Sequence, residues 1–323
     1  TMTLYRKRID PMFPFLLSQN LLSLKEGQPR LTLTVSIYLS QHFKIQTVEI
    51  QKTYLVNEKQ LTYAQADEIL NSPQHPYFQM LTRSLELAHH LSEKRCQQGA
   101  FVFYDLVKGL FTDEEGRVRS LLAEEKHASH QIIQELMLLA NESVALYLVE
   151  RNRTALYRNH VARPMAPGRK EMLEQFNLAL ATPHLLESFK ERFQLWIPKA
   201  HYATTFQGHH ALSLPAYIHF TSPIRRVADF INHRIVHSVL SEQLCPYSLE
   251  QLNLVAEYIN VTYEQLLLEK EAHFQHKEEL KYRKHLENKT TLTQLKPSEF
   301  HKVLKLVCQE LKPSSQLTEL IEM

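Results

Sequence analysis

Between Tyr217 and Leu240 the chain reads YIHFTSPIRRVADFINHRIVHSVL, with apolar residues recurring at Ile224, Val227, Ile231, Ile235 and Val239. Steps of three and four place these side chains on one stripe of a helix. Ser222 followed by Pro223 reads as a cap and first-turn pair, so the helix is predicted to start at this serine and run to about Leu240. The same periodicity at Leu81, Leu85, Leu87, Ala88 and Leu91 predicts a helix over 78–95. Helices are also predicted over 63–70, 129–150, 170–181, 184–195, 249–284 and 298–311. Residues 30–40 and 43–56 alternate apolar with polar and are β-branched, which predicts two strands joined near Gln41-His42. Residues 99–103 read as another strand. Near the start, Pro11 and Pro14 break any helix ahead of a short apolar segment, 16–24.

Composition agrees with a helix-rich chain: leucine is abundant and there are only 6 Gly in 323 residues, 44 % of them apolar. That length holds one large domain or two smaller ones. A formal charge of +2, from 37 basic and 35 acidic residues, gives no bulk pull toward nucleic acid, so any such site must be local. Cys96, Cys245 and Cys308 are scattered, lack a C-x-x-C spacing and fit a reducing compartment. No run is read as a membrane helix and no charged-then-apolar leader opens the chain, so a cytoplasmic protein is expected. The chain begins at Thr1 in what reads as mid-motif, which suggests a piece of something longer.

Candidate chemistry gathers at the Ser222 helix. Arg225 and Arg226 in a first turn combine guanidinium forks with outward backbone N–H groups, a combination suited to phosphate. Asp229 lies within one turn of both and can hold one of them. A surface helix with ordinary salt bridges has the same pattern. Glu135 and Asn141 interrupt an otherwise apolar helix and require partners if buried. His233 with His237, and His127 with His130 and Glu135, have helical ligand spacing but no evident completing ligand.

The run His219-Phe220-Thr221-Ser222-Pro223-Ile224-Arg225-Arg226, with Tyr217 before it and Asp229, His233 and Arg234 after it, resembles the signature of the RNB family. These are ribonuclease II and ribonuclease R enzymes and the eukaryotic exosome nuclease, which degrade RNA from its 3′ end. Further stretches resemble the family in family order: Pro11-Met12-Phe13-Pro14, Leu61-Thr62-Tyr63, Gly99–Phe103, the central helix IIQELMLLANESVALYL, Leu156-Tyr157-Arg158-Asn159-His160, and Gly208-His209. Val227 stands where the family usually has tyrosine.

The resemblance implies an α+β fold, helix-rich, with a mixed or antiparallel sheet on which helices pack. It covers 1–245 as an RNB-like catalytic domain without its aspartate segment, leaving 246–323 as a helical extension with no β-barrel pattern. It implies that Arg225 and Arg226 neutralise phosphate and that Glu135 assists release of the cleaved nucleotide. Tyr63, Phe103 and Tyr217 would guide or stack bases, and His219, Thr221 and Ser222 would belong to the RNA site. Tyr63 and Phe103 are equally readable as core aromatics. The implied cofactor is Mg²⁺, which requires clustered hard oxygen ligands. The five aspartates, Asp10, Asp67, Asp105, Asp113 and Asp229, are nowhere closer than eight residues apart. A metal site within this chain is therefore not expected. The implied partners are a single-stranded RNA 3′ end and an amino-terminal segment or companion chain supplying the ligands. An inactive module that binds RNA or protein is the alternative.

Overall fold

The computed structural model describes residues 11–100, 110–112, 118–120 and 128–287. After a π-helical turn at Leu17–Leu21, strands β1 (Pro29–Leu39) and β2 (Ile45–Val56) form an antiparallel hairpin, with Val35 opposite Ile50. Period-two alternation sorts its faces. Leu33, Val35 and Ile50 turn into the core, while Thr32, Thr34 and Thr53 hydrogen-bond to one another on the other face.

Helix α1 (Tyr63–Leu70) starts where its sequence directs: Thr62 and Gln65 form a reciprocal capping box. Helix α2 (Phe78–Gln97) ends at Gly99, whose φ of +84° suits glycine. Of the strand expected over 99–103, Gly99 and Ala100 are not extended into a ladder, and 101–103 lie outside the described residues. Two short strands, β3 (Leu110–Thr112) and β4 (Val118–Ser120), pair antiparallel.

Helix α3 (Ala128–Glu150) is the central element, burying Ile132, Leu139, Val144, Ala145 and Leu148 together with the polar Glu135 and Asn141. Among the described residues it alone is long and apolar enough to cross a membrane, by length and composition only. The helix itself was expected over 129–150, but not that it would pass this test; a core helix passes the same test, and many of its side chains are buried here. Strand β5 (Tyr157–Asn159) follows and pairs with β6 (His201–Ala203). Between them, α4 (Arg169–Ala181) and α5 (Leu186–Trp196) pack Met172, Phe176, Phe189 and Phe193 into a second apolar cluster.

Helix α6 spans Val227–Leu240 and so begins later than its serine suggested. Residues 222–226 form a turn in which the N–H groups of Arg225 and Arg226 both reach the Ser222 carbonyl, at 3.2 Å each. Arg226, extended at φ −128°, precedes the first helical residue. The reason is Asp229: its carboxylate accepts from the Ser222 N–H at 2.7 Å and holds the preceding loop across the helix start. Both arginines therefore stand on that loop.

The last described helix, α7 (Leu249–Glu287), crosses between two compact units, residues 1–259 and 260–323. In the first, Leu252 and Ala256 join a core with Val144, Leu148, Ile218, Ile235 and Val236. In the second, the described helical residues are mostly exposed, Leu268 and Phe274 among them. The helix expected over 298–311 lies outside the described residues.

Candidate nucleic-acid interface

Three short segments that are distant in sequence meet at one small sheet. Arg158 on β5 stands opposite Tyr202 on β6, and Tyr157 bridges to Ile218 on the other side, with the Arg158 N–H bonded to the Tyr217 carbonyl at 2.8 Å. Alternation then sends Tyr157 and Ile218 to one face and Arg158, Tyr202, Tyr217 and His219 to the other, with Tyr157, Ile218 and the Tyr202 ring all buried in the main core cluster. The Arg158 guanidinium lies over the Tyr202 ring, 4.7 Å from its centroid. Tyr202 meets His219 through its hydroxyl, 2.6 Å from Nδ1, and Tyr217 lies edge-on to both His209 and His219.

Buried polar side chains hold the 217–226 segment in place. Asn141 of α3 donates to the Tyr217 hydroxyl at 3.0 Å and accepts the Phe220 N–H at 2.9 Å. Asn232 of α6 donates to the carbonyls of Leu156 and His219, tying β5 to the signature segment. His233 stacks on Phe220 and contacts its carbonyl through Nε2. Asp229, wholly buried, accepts from Arg226 Nε and Nη2 at 2.7 and 2.8 Å in addition to Ser222.

Arg226 is thus fixed, while Arg225 is exposed and makes no ion pair with a described residue. The Thr221 hydroxyl is buried without a hydrogen-bond partner. The positive charge is strong enough to be felt by the rings. Burial first, then Arg226, Arg158, His209 and Arg225, hold His219 down to about 2. Burial and His160 hold His209 to about 3, and burial alone pushes the Tyr157 phenol up to about 12. These imidazoles are neutral at pH 7. They leave the arginines as the charges of the site, with Asp229 neutralising one of them.

Glu135 and Tyr63 lie away from this face. Glu135, 1 % exposed, receives both oxygens' hydrogen bonds from Arg95 Nη2, one of them at 2.6 Å. Burial pushes its carboxyl up and Arg95 opposes this. Glu135 and Asn141 are six positions apart, roughly 9 Å along the helix axis, and none of residues 217–226 is among the described residues lining the cavity that Glu135 faces. Tyr63, half-exposed, sits at the start of α3, its ring centroid 3.7 Å from that of His130. Tyr217 is buried at 7 % exposure, so its ring is enclosed by neighbours. Phe103 lies outside the described residues. Arg158 was not singled out from the sequence; a cation in the alternating Tyr157-Arg158-Asn159 run was the available signal.

Magnesium does not fit the described residues. Among them no three His, Cys, Asp or Glu are arranged to hold a metal ion. The two described aspartates, Asp67 and Asp229, are engaged by protein donors, Asp67 by the Ser129 N–H at 3.0 Å.

A protein-family model, the RNB domain, matches residues 1–242. Ribonuclease R of Thermotoga maritima is 28% identical over 280 residues, 76% of this chain and 39% of that protein. Ribonuclease R of Chlamydia trachomatis is 30% identical over 258 residues, covering 72% of this chain and 37% of that protein. The chain thus spans about two fifths of the length of these relatives. Its fold is similar to Mycoplasma genitalium RNase R in complex with ribose methylated single-stranded RNA, with TM-score 0.64 at 22% identity, over 80% of this chain and 46% of that one. It is also similar to yeast Ssd1, a pseudonuclease, with TM-score 0.61 at 21% identity, over 78% of this chain and 34% of that one.

Proposed function

Starting from the fact that this chain belongs to the RNB family, we propose that it is the RNA-end-holding portion of a 3′→5′ exoribonuclease. The observation that carries the reading is the convergence of Arg158, Arg225 and Arg226 around the ring-lined sheet face, where Asp229 pairs with Arg226. Guanidinium groups held in a partly enclosed site suit the charge of a phosphodiester. Arg225, exposed and uncommitted, contacts a phosphate; Arg226, anchored by Asp229, supports that contact. Tyr202, Tyr217 and His219 give the arginines a rigid, neutral backing. Hydrolysis in this reading depends on Mg²⁺ ligands outside the described residues.

A second reading, an inactive RNB-derived module that binds RNA or protein, is favoured by the likeness to a pseudonuclease. One experiment separates the two. A 3′-overhanging RNA is incubated with Mg²⁺ and either this chain or the longest form of the protein. Progressive shortening by the longer form supports the nuclease; binding without shortening by every form supports the module. Arg225→Ala is expected to weaken single-stranded RNA binding about tenfold and to reduce the salt dependence by roughly one phosphate contact. Unchanged affinity and salt slope would remove the phosphate role.

A further inference from the structure

A cavity of about 440 Å³ lies between α2, α3 and the 213–215 segment, away from the arginine face. Its size falls in the roughly 300–1,000 Å³ range of small-molecule sites. Leu91, Leu138, Leu139, Leu214 and Pro215 supply apolar walls. The Arg95–Glu135 ion pair forms part of the lining and is satisfied internally.

Ser213 also lines it, its hydroxyl bonded to Arg169 and to the Gln98 main-chain carbonyl, which leaves three polar side chains: Lys94, Gln98 and Glu142. None has a side-chain hydrogen bond or ion pair to another described residue, although the Gln98 carbonyl is taken by Arg169 and Ser213. Glu142 is the informative one. Burial pushes its carboxyl up while the nearby Lys94 and Arg95 pull it down, so its charge is only partly compensated by the protein. A half-buried carboxylate to which no described residue donates is costly unless something supplies a donor.

An acceptor and an ammonium lining one cavity with apolar walls match a ligand with two adjacent N–H donors and a neighbouring carbonyl. Of the nucleobases, guanine alone carries adjacent ring and exocyclic N–H donors beside a carbonyl; adenine and cytosine present a ring acceptor beside their amino group, and uracil has one donor between two acceptors. We propose that this cavity takes a guanine base, from a free nucleotide or from the end of an RNA chain, with Glu142 accepting from the paired N–H groups and Lys94 or Gln98 donating to the ring carbonyl. The RNA source rests on the function proposed above, whereas the free-nucleotide source does not.

The test is calorimetric titration of the full chain with GMP, inosine 5′-monophosphate and AMP, beside RNA oligomers of equal length ending in G or A. Inosinate keeps one of the two donors and adenylate presents neither in that arrangement. GMP is expected to bind about tenfold tighter than AMP, with inosinate between them, and Glu142→Gln to erase the order. Leu138→Phe, which fills the slot without touching a polar group, is expected to weaken all three nucleotides, and thermal melts confirm that each variant is folded. A preference for the G-ended oligomer, lost in Glu142→Gln, assigns the site to RNA ends; GMP selectivity with no oligomer preference assigns it to free nucleotides. Affinities equal within about twofold across both series, or selectivity that survives Glu142→Gln, overturn the proposal. RNA binding without guanine preference defeats this inference alone, while GMP selectivity without RNA binding defeats the function proposed above and leaves the cavity standing.

Discussion

At the scale of single residues, the site is built from groups whose charge state is fixed by burial. His160, His209 and His219 sit at about 4, 3 and 2 in the folded chain, against an ordinary value of 6.5. Unfolding exposes them, so below pH 6.5 the unfolded chain takes up protons that the folded chain refuses. Above that pH both states are neutral and the histidines cost nothing. Stability is therefore expected to be level near neutral pH and to fall between pH 6.5 and about 4, each histidine weakening it by up to about 1.4 kcal/mol per pH unit. Urea denaturation across this range measures the slope, and His209→Gln should make it shallower. A midpoint that stays constant from neutral pH to about 5 would mean that these rings are protonated in the folded chain.

Among the elements, α2 shows how one backbone position secures a helix end. Gly99 has φ +84°, and a Cβ there would lie 2.9 Å from Cδ of Arg169. That arginine is not free to withdraw, because Nη1 donates to the carbonyls of Gln98 and Gly99 and to Ser213. Gly99→Ala combines an unfavourable φ with this clash and is expected to cost about 1–3 kcal/mol, read as a lower thermal midpoint. Elements of this kind were legible in the sequence: the hairpin, α1 with its capping box, α2, α3 and α7 each announce themselves by a local period or cap. What was hidden is non-local. The start of α6 depends on Asp229 reaching back to Ser222, which outweighs the cap rule for a Ser-Pro pair. Likewise Glu135 finds its partner in Arg95 on another helix, and Arg158 reaches the signature rings only because β5, β6 and the 217–219 segment come together. Spacing along the chain carries no record of such meetings.

For the whole molecule, the decisive length is where the first unit ends. Leu252 and Ala256 of α7 are buried in the main core at 1 % and 4 % exposure, and Val255 and Ile259 pack against it. The division between units falls just beyond them, after Ile259. Two truncations then have opposite expected outcomes. A chain ending at Ile259 keeps these contacts and should melt cooperatively near the midpoint of the full chain. A chain ending at Ser248 loses Leu252 and Ala256, exposing Ile235 and Val236 of α6 and Val144 and Leu148 of α3, the two helices that hold the signature segment through Asn232 and Asn141. Removing a buried leucine side chain alone costs about 2–5 kcal/mol, and a whole helical turn with it costs more, so the shorter chain should lose cooperative unfolding. Circular dichroism melts of the two products decide the matter. Equal stability would mean that the first turns of α7 are dispensable to the core, and that the helices carrying the arginine site are secured without them.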